Sequence, residues 1–239
     1  MLNEMTQYII SIIIPVLNEA EIIQPILNLL QQYFQVEIIV VDGGSHDNTV
    51  ALAIQTGVKV ISVLRKGKAA QMNAGADIAC GDILLFLHAD TKLPSNFVEL
   101  VIKTLEPDNV VAGAFELAID GEAKSLRSIE LLVKMRSHLF SLPYGDQAIF
   151  ISKKAFINSG GFADLPIMED FEFIKRIKKH GKIAIAPATV TTSGRRWHKL
   201  GVWKTTLINQ AIIAGYYLGI SPIELSNFYR NRGKIDSQK

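Results

Sequence analysis

Residues 36–49 read Val36-Glu37-Ile38-Ile39-Val40-Val41-Asp42-Gly43-Gly44-Ser45-His46-Asp47-Asn48-Thr49, an apolar, β-branched run followed at once by a polar turn. A run of that composition is typical of a strand buried on both faces of a parallel sheet. The same alternation continues on either side of it. Helical spacing of apolar residues fills 21–34, 48–56 and 69–79, and further strand-like runs lie at 9–14, 58–64 and 83–87.

This alternation of strands and helices predicts an α/β fold with a mostly parallel, Rossmann-like sheet flanked by helices. Ligands bind such sheets beyond the carboxyl ends of the strands. Three turns are therefore expected on one rim: Asn18-Glu19, the turn at 42–47, and His88-Ala89-Asp90. Beyond residue 93 the patterns predict helices at 94–105, 123–140 and 169–180 and strands at 110–119 and 148–151.

Composition limits the class of protein. Of 239 residues, 49% are apolar and 20% charged, which supports a large core and excludes disorder. The net charge of +2 gives no support for nucleic-acid binding. The single cysteine, Cys80, is expected to be a buried thiol between a helix and a strand, and no secretory signal is visible. Both features predict a cytoplasmic location.

Residues 205–223 are 19 consecutive residues without a charge. A spanning helix needs about 20 apolar residues, but Asn209, Gln210 and Pro222 disfavour one here. Two interpretations stay open. Either the segment is an interfacial helix whose flanking basic residues face anionic lipid on the inner face of the plasma membrane, or it is a core helix with a solvated basic end.

The turn after residue 41 offers several polar groups. Its glycines permit close backbone approach, and Ser45 or Asp47 can cap the next helix. Asp42, at the end of a strand, can accept hydrogen bonds from a base or ribose. The alternative is a capping turn with a solvated Asp42. Neither the dinucleotide fingerprint nor the phosphate-loop motif occurs in the chain.

In an extended segment, His88 and Asp90 point to the same side. They could then share a divalent metal, with diphosphate oxygens completing its shell. Mg²⁺ prefers the oxygen of Asp90, whereas Mn²⁺ also tolerates the nitrogen of His88. The alternative is a hydrogen-bonded loop histidine and an aspartate that caps the next helix.

Two acids and two basic stretches remain. Glu169-Asp170 starts a helix, where acids either complement the dipole or, in an apolar cleft, supply a general base. The stretch 65–73 enters a helix N-terminus, a natural anion site. Arg195-Arg196 suits phosphate oxygens, the alternative being an exposed basic loop with Trp197 packed into the core.

Taken in order, the motifs at 11–19, 42–49, 67–75, 88–90 and 169–170 resemble those of the family 2 inverting glycosyltransferases of GT-A fold. The chain is most similar to a short, bacterial-type branch ending in Ser193-Gly194-Arg195-Arg196-Trp197. The resemblance covers roughly residues 9–200. It implies one glycosyltransferase domain over 1–239, with a nucleotide-sugar-binding half at 9–106, an acceptor and catalytic half at 107–200, and a helical appendage at 201–239.

The resemblance also implies roles for residues in hexosyl transfer from a nucleotide-diphosphate donor to an acceptor hydroxyl. Asp170 is implied as the catalytic base with Glu169 beside it, and Asp90, with His88 at the first position of the Asp-x-Asp motif, as the ligand of Mn or Mg. The residues implied to bind the nucleotide-sugar are Pro15, Asn18, Glu19, Asp42, Gly43, Ser45, Asp47, Arg65, Gly67, Lys68, Asn73, His88 and Ala89. Those implied to face the acceptor or the diphosphate are Gly145, Asp146, Gln147, Arg195, Arg196 and Trp197.

Other classes of function stay open at this point. A nucleotidyltransferase would usually carry a glycine-rich loop after the first strand, where this chain has Pro15-Val16-Leu17-Asn18-Glu19. A non-catalytic module that binds nucleotide-sugars or lipids would have no need of Asp170. The helical patterns at 123–140 and 205–223 suggest that the acceptor is lipid-like and lies at a membrane surface.

Overall fold

The computed structural model describes residues 10–64 and 67–234. Its strands are β1 (Ile10–Val16), β2 (Val36–Asp42), β3 (Lys59–Ser62), β4 (Ile83–Phe86), β5 (Thr91–Lys92), β6 (Val110–Ile119), β7 (Phe150–Ser152) and β8 (Lys182–Thr192). Its helices are α1 (Ile23–Leu30), α2 (Thr49–Gln55), α3 (Lys68–Ile78), α4 (Phe97–Leu105), α5 (Lys124–Phe140), α6 (Lys153–Asn158), α7 (Glu169–Ile177), α8 (Arg195–Leu200), α9 (Val202–Tyr217) and α10 (Pro222–Lys234).

The strands form one sheet in the order β3-β2-β1-β4-β7-β6-β8-β5. The first four are parallel, as predicted. Strand β7 runs antiparallel to both of its neighbours, β4 and β6, whereas β6 and β8 are parallel. The sheet is therefore mostly parallel and flanked by helices, which confirms the predicted α/β class.

The sheet is covered on both faces, which explains the unbroken apolar runs of β1 and β2. Every residue of these two strands is buried. Ile12 and Ile14 belong to the apolar layer that includes α1 and α4, whereas Ile13 belongs to the opposite layer with α3 and α7. Because side chains alternate across a strand, a strand packed on both faces needs an apolar residue at almost every position. This packing fixes the carboxyl ends of β1, β2 and β4 along one rim.

The uncharged segment 205–223 is not one helix, contrary to the prediction. Helix α9 ends at Tyr217, Gly219 has a φ of 80°, and α10 begins at Pro222. Glycine reaches a positive φ without strain, and proline suits the first turn of a helix because it has no N–H to pair. Within 10–64 and 67–234, none of the helices combines the length and the apolarity that crossing a bilayer requires.

Three other local expectations were wrong. The stretch 193–198, expected to be a polar loop, contains the start of α8. Strand β8 was missed because Pro187 interrupts its pattern. The register between β6 and β8 slips at that point, and a bulge can accommodate a proline in a strand. Cys80 is exposed rather than buried.

Candidate active site

Hydrogen bonds join the loop after β1 to the loop after β2. The backbone N–H of Asn18 donates to Ser45 Oγ over 2.9 Å, and that of Glu19 donates to Thr49 Oγ1 over 2.8 Å. In return, the N–H of His46 donates to Asn18 Oδ1 over 2.8 Å. Asn18 has a φ of 56°, which asparagine tolerates better than most residues. These bonds hold the two loops together at the rim of the sheet.

The acids of the second loop are already used by its own backbone. Asp42 is buried and accepts hydrogen bonds from the N–H groups of Gly44 and Ser45, each over 3.0 Å. Asp47 accepts hydrogen bonds from the N–H and hydroxyl of Thr49, and the bond from that hydroxyl lowers the pKa of the Asp47 carboxyl. Asp42 thus maintains the turn, as in the capping alternative, but it is not solvated.

A residue that the sequence analysis did not select, Gln71 of α3, links the ends of β1 and β2. Its side-chain amide donates to the carbonyl oxygens of Val16 and Val41 over 2.9 and 2.7 Å. A β-carbon at Gly43 would lie 3.0 Å from the Gln71 side chain, so glycine is needed for this approach. Gln71 therefore holds the carboxyl ends of β1 and β2 together.

Asn73, expected to contact the nucleotide-sugar, holds a loop instead. Its Nδ2 donates to the carbonyl oxygen of Phe162 over 2.8 Å, and its Oδ1 accepts from the N–H of Phe162 over 2.9 Å. These two bonds use both polar ends of the side chain. Phe162 is thereby placed in the wall of the central cleft.

A cleft of about 50 Å³ lies where the two halves of the sheet meet. Its lining comes from the end of β1, the starts of α3 and α7, the end of β4 and the loop before β7. The lining residues are Pro15, Lys68, Met72, Phe86, His88, Gly145, Ile149, Phe162, Glu169 and Asp170. Six of these ten are predicted site residues from five separate segments, so the fold brings together much of what the sequence analysis selected.

A larger groove of about 590 Å³ lies beside α4 and is lined by Gln35, Asn96, Val98, Glu99, Ile102, Lys103 and Glu106. It is wide open to solvent, and it contains none of the predicted site residues. The smaller cleft is the better candidate, because its side chains converge from several elements and include buried acids.

Asp170 is held in place from two directions. Its Oδ2 accepts a hydrogen bond from the backbone N–H of Gly145 over 2.6 Å, and its Oδ1 accepts one from the N–H of Phe171 over 2.7 Å. A β-carbon at Gly145 would lie 3.1 Å from Asp170 Oδ2, so only glycine allows this close approach without a shift. The carboxylate is therefore fixed at the start of α7 and faces the cleft.

Two further acids of this region, Glu169 and Asp146, are destabilised in their charged form by burial. Burial raises the pKa of the Glu169 carboxyl to about 7, and the charge of Asp170 adds to the shift. Burial raises the pKa of the Asp146 carboxyl to about 6. The Oδ1 atom of Asp146 is buried and has no hydrogen-bond partner among the described residues. The positive charge of Lys68 lowers the pKa of both acids and so opposes part of this rise. Perturbed acids in a cleft are characteristic of functional sites.

The segment 88–90 forms a turn and is not extended. The N–H of Thr91 donates to the carbonyl oxygen of His88 over 3.0 Å, which closes the turn. His88 Nε2 lies 3.4 Å from Lys68 Nζ, whereas Asp90 Oδ2 lies 3.7 Å from Arg195 Nη2. Burial and the charge of Lys68 hold the pKa of His88 well below its usual range. The shared orientation expected for His88 and Asp90 is therefore wrong, because it assumed an extended backbone.

Among the residues that the structure describes, no three His, Cys, Asp or Glu side chains are grouped closely enough to hold a metal ion. Mg²⁺ and Mn²⁺ are commonly held by one or two carboxylates together with substrate phosphates. Asp90 can supply one such carboxylate, because its side chain is partly exposed, and a metal would compete for it with the Arg195 guanidinium 3.7 Å away. The same guanidinium, that of Arg195, lies 3.2 Å from Glu19 Oε2. The donor set fits a metal that arrives with a diphosphate.

Gln147 does not face the cleft, contrary to its predicted contact with the acceptor or diphosphate. It is fully buried, and its Nε2 donates to the carbonyl oxygen of Phe115 over 2.8 Å. Its Oε1 accepts from the side chains of Arg136 and Ser137 and from the N–H of Tyr144. Gln147 therefore anchors the loop that carries Gly145 and Asp146.

The remaining predicted residues divide between the surface and the core. Ala89 is buried in the core, and Trp197 packs against the same apolar layer with its Nε1 buried, as in the structural alternative. Gly67, with a φ of 120°, directly precedes α3. Arg65 lies outside the described residues, as does the side chain of Arg196.

Aromatic residues that the sequence analysis missed surround the candidate base. Phe171 packs edge-to-face on Tyr216 and Tyr217 at the end of α9, with ring centroids 5.4 and 5.7 Å apart. The Arg136 guanidinium lies 3.4 Å above the ring of Tyr144. The available signal was the aromatic pair at 216–217, but its contact with Phe171 depends on the tertiary fold.

Comparison with known proteins finds relatives that are glycosyltransferases. A family model described as glycosyl transferase family 2 matches residues 11–164. The chain is 36% identical over 111 residues to the glycosyltransferase AglE of Haloferax volcanii, covering 42% of this chain and 36% of that protein. It is 34% identical over 119 residues to an undecaprenyl-phosphate 4-deoxy-4-formamido-L-arabinose transferase of Serratia proteamaculans, covering 44% and 36%. The chain thus spans little more than a third of these relatives.

Solved structures share the fold. The mannosyltransferase PcManGT of Pyrobaculum calidifontis, in complex with GDP-Man and Mn²⁺, has a TM-score of 0.65 at 17% identity, covering 96% of this chain and 76% of that one. S. aureus TarS 1–349, in complex with UDP, has a TM-score of 0.63 at 16% identity, covering 77% and 60%. At these identities the likeness shows the fold alone, which is GT-A.

Proposed function

Because the chain belongs to glycosyl transferase family 2, we propose that it transfers a sugar from a nucleotide-diphosphate donor to an acceptor hydroxyl, with inversion at the anomeric carbon. The observation that carries this proposal is the single cleft that unites the end of β1, at Pro15, with the start of α7, at Asp170. A donor bound along the rim of β1 and β2 would have its sugar between that rim and the carboxylate.

Asp170 is the proposed general base. Two of its lone-pair sites are taken by the N–H groups of Gly145 and Phe171, which leaves others to accept a proton. As the acceptor oxygen bonds to the anomeric carbon, its proton passes to Asp170 while the bond to the diphosphate oxygen breaks. Glu169, with its pKa raised to about 7, is only partly ionised near neutral pH, so less negative charge accumulates beside the base than two fully ionised carboxylates would give.

Two cationic side chains would contact the departing diphosphate. Lys68 lies at the start of α3 and lines the cleft. Arg195 lies at the rim, where it pairs with Glu19 and Asp90. Partial burial works against the charged form of Arg195, but the two acids outweigh it and raise its pKa. A Mn or Mg ion held by Asp90 and the donor would further neutralise the charge that develops on the leaving group.

The nucleotide side of the proposal rests on the joined loops after β1 and β2. Pro15, Asn18, Glu19, Asp42, Gly43 and Ser45 would surround the base and ribose, and Arg65 remains part of the proposal although it lies outside the described residues. The fixed loops support this role, because a preformed pocket loses less conformational entropy on binding. PcManGT and TarS, which share the fold, were crystallised with GDP-Man and UDP.

The proposed acceptor is borne on a lipid. Support comes from the transferase of Serratia proteamaculans, whose name specifies undecaprenyl phosphate. The predicted cytoplasmic location, with peripheral contact to the plasma membrane, stays part of this proposal. The exposed apolar helices beside the cleft agree with it.

Calorimetry with UDP-, GDP- and TDP-sugars, with and without Mn²⁺, tests the donor site. We expect binding of one nucleotide class, strengthened by Mn²⁺ and losing that strengthening in Asp90→Ala. Slow release of nucleoside diphosphate through transfer to water then tests catalysis, and Asp170→Asn should abolish it without abolishing binding. Folded protein that binds no nucleotide-sugar would contradict the proposal. Binding with no release in the wild type would favour a non-catalytic module.

A further inference from the structure

The outward face of α9 is mostly apolar. Trp203, Leu207, Ala214 and Tyr217 lie along it at helical spacing, and Leu218 continues the row beyond the last turn. Leu207 is 69% exposed and Leu218 81% exposed. A surface helix normally directs charged side chains to water. On this face of α9 the one charged residue is Lys204, near the start of the helix.

The outward side of α5 also carries an apolar stripe, next to the exposed charged side chains of Arg127 and Lys134. Leu131, Met135 and Leu139 lie four residues apart on one stripe, with Leu132 beside it, and all four side chains are exposed. Helices α5 and α9 contact each other, so the two apolar faces are neighbours. Monomeric proteins rarely expose apolar patches larger than a few hundred square ångströms. We call these two faces together the apolar platform.

The charge of the chain is divided in a way that indicates what covers the apolar platform. Residues 201–239 contain five basic and two acidic residues, whereas residues 1–200 contain 20 basic and 21 acidic ones. Lys204 directly follows Trp203 on α9, and Arg230 and Arg232 lie exposed on α10. The excess positive charge therefore lies on the appendage that carries α9, one of the two helices of the apolar platform.

We propose that the apolar platform lies on the surface of an anionic lipid bilayer. Apolar burial and attraction to anionic headgroups together hold such helices in the plane of the interface. A second copy of the chain fits less well, because a two-fold interface would place one positive appendage against another.

The orientation of the cleft follows from the packing of Phe171. This residue comes directly after Asp170 and packs on Tyr216 and Tyr217, at the end of α9. A protein resting on the apolar platform would hold the carboxylate of Asp170 close to the bilayer surface, where the hydroxyl or phosphate of a lipid-borne acceptor lies. This second step rests on the proposed function, whereas docking does not.

Flotation with lipid vesicles tests the docking. The wild type should float with vesicles that contain about 30 mol% phosphatidylglycerol, less so at high salt, and weakly with phosphatidylcholine alone. The double variant Leu131→Gln/Leu207→Gln should lower the partition coefficient by about tenfold or more. The matched control, Ile54→Gln/Ile157→Gln, removes side chains of similar exposure from α2 and α6 and should float like the wild type.

Three outcomes would overturn the proposal. The first is that the wild-type protein does not float with the anionic vesicles at all, and the second is that the double variant floats as well as its control. The third is a dimer, measured by sedimentation without lipid, that is lost in the double variant and kept in the control, since a second copy of the chain would then cover the apolar platform. Nucleotide-sugar binding, measured on the same samples, separates the two proposals. If it persists without flotation, only docking fails. If the protein floats but binds no nucleotide-sugar, the proposed transferase function is wrong and the docking proposal is still supported.

Discussion

The carboxylates after β2 and those around the start of α7 border the same site, yet their surroundings differ. Asp42 and Asp47 each accept at least two hydrogen bonds from their own loop, and the pKa of Asp47 is lowered. Glu169 and Asp146 lie in more apolar surroundings, and burial raises the pKa of both. The hydrogen bonds of the first pair hold the shape of their loop, whereas burial works against the charged form of the second pair.

This difference separates acids that maintain the shape of a loop from acids that change protonation near neutral pH. The carboxyl of Asp47, whose pKa the Thr49 hydroxyl lowers, is stabilised in its charged form. Asp170 belongs to neither pair, because it accepts one hydrogen bond on each oxygen and keeps further lone pairs for the proton of the acceptor. A buried carboxylate with free lone pairs exchanges protons near neutral pH and makes the fold less stable. The following predictions test that contrast, beginning with the largest expected effect.

Asp170→Asn should lower kcat by about 10³-fold, because an amide cannot accept the proton of the acceptor. The free energy of unfolding should fall by about 1 kcal/mol, since the amide oxygen can accept only one of the two hydrogen bonds. Steady-state kinetics measure the effect once an acceptor is available, and donor hydrolysis measures it before then. The same change at the acid after β2, Asp42→Asn, should raise the KM for the donor rather than lower kcat. If Asp42→Asn lowered kcat more than Asp170→Asn does, the proposed roles of the two acids would be wrong.

Gln147→Leu should reduce the free energy of unfolding by about 3 kcal/mol, because four groups lose a buried hydrogen-bond partner. Urea denaturation measures this effect. Gln31→Leu is a suitable control, because its side chain makes an exposed hydrogen bond to the backbone. Equal stability of the two variants would mean that Gln147 does not anchor the loop.

Glu169→Gln should stabilise the protein at alkaline pH. The raised pKa means that the folded state holds this proton more tightly than the unfolded chain does between pH 4.5 and about 7. Stability contributed by the protonated form is therefore lost as pH rises through that range. We expect the variant to exceed the wild type by about 3 kcal/mol at about pH 8 and to match it at about pH 4. Parallel stability curves for the two proteins, from thermal unfolding in buffers across this range, would disprove the assignment.

Thr49→Val should have the smallest effect, about 1 kcal/mol of stability, because it leaves the N–H of Glu19 without its buried hydroxyl acceptor. The loop after β1 should loosen, and donor affinity should fall several-fold with kcat unchanged. Calorimetric donor binding measures the change. Thr56→Val, whose hydroxyl only donates to its own helix, is the control and should leave donor affinity intact.

The rim of the sheet could be predicted from the sequence because its cause is local. β-branched runs predict buried parallel strands, and the carboxyl ends of parallel strands meet at one edge. That reasoning predicts the turns at Asn18-Glu19, 42–47 and 88–90 on one rim. The break between α9 and α10 also had a local signal, at Gly219 and Pro222, but the uncharged composition of the segment obscured it.

The side-chain partners could not be predicted in this way. Gln147 was expected to face a ligand, and its burial depends on α5 and β6, which lie far away in sequence. Asn73 was assigned by its position in a motif, whereas its partner, Phe162, is 89 residues away. The turn at His88 depends on a backbone hydrogen bond that no spacing rule shows. When the hydrogen-bond partner of a polar residue lies far away in sequence, composition does not distinguish a residue that contacts a ligand from one that makes a structural hydrogen bond.

Strand β7 has a consequence for how the chain is made. Its three residues join β4 to β6, so they connect the parallel half that is synthesised first to the half that follows. Residues 10–86 can pair and bury their apolar strands while still attached to the ribosome, because domains and their early parts fold as they emerge. Until β7 arrives, more than sixty residues later, the apolar edge of β4 stays open. During that interval the nascent chain is vulnerable to pairing with a neighbouring chain.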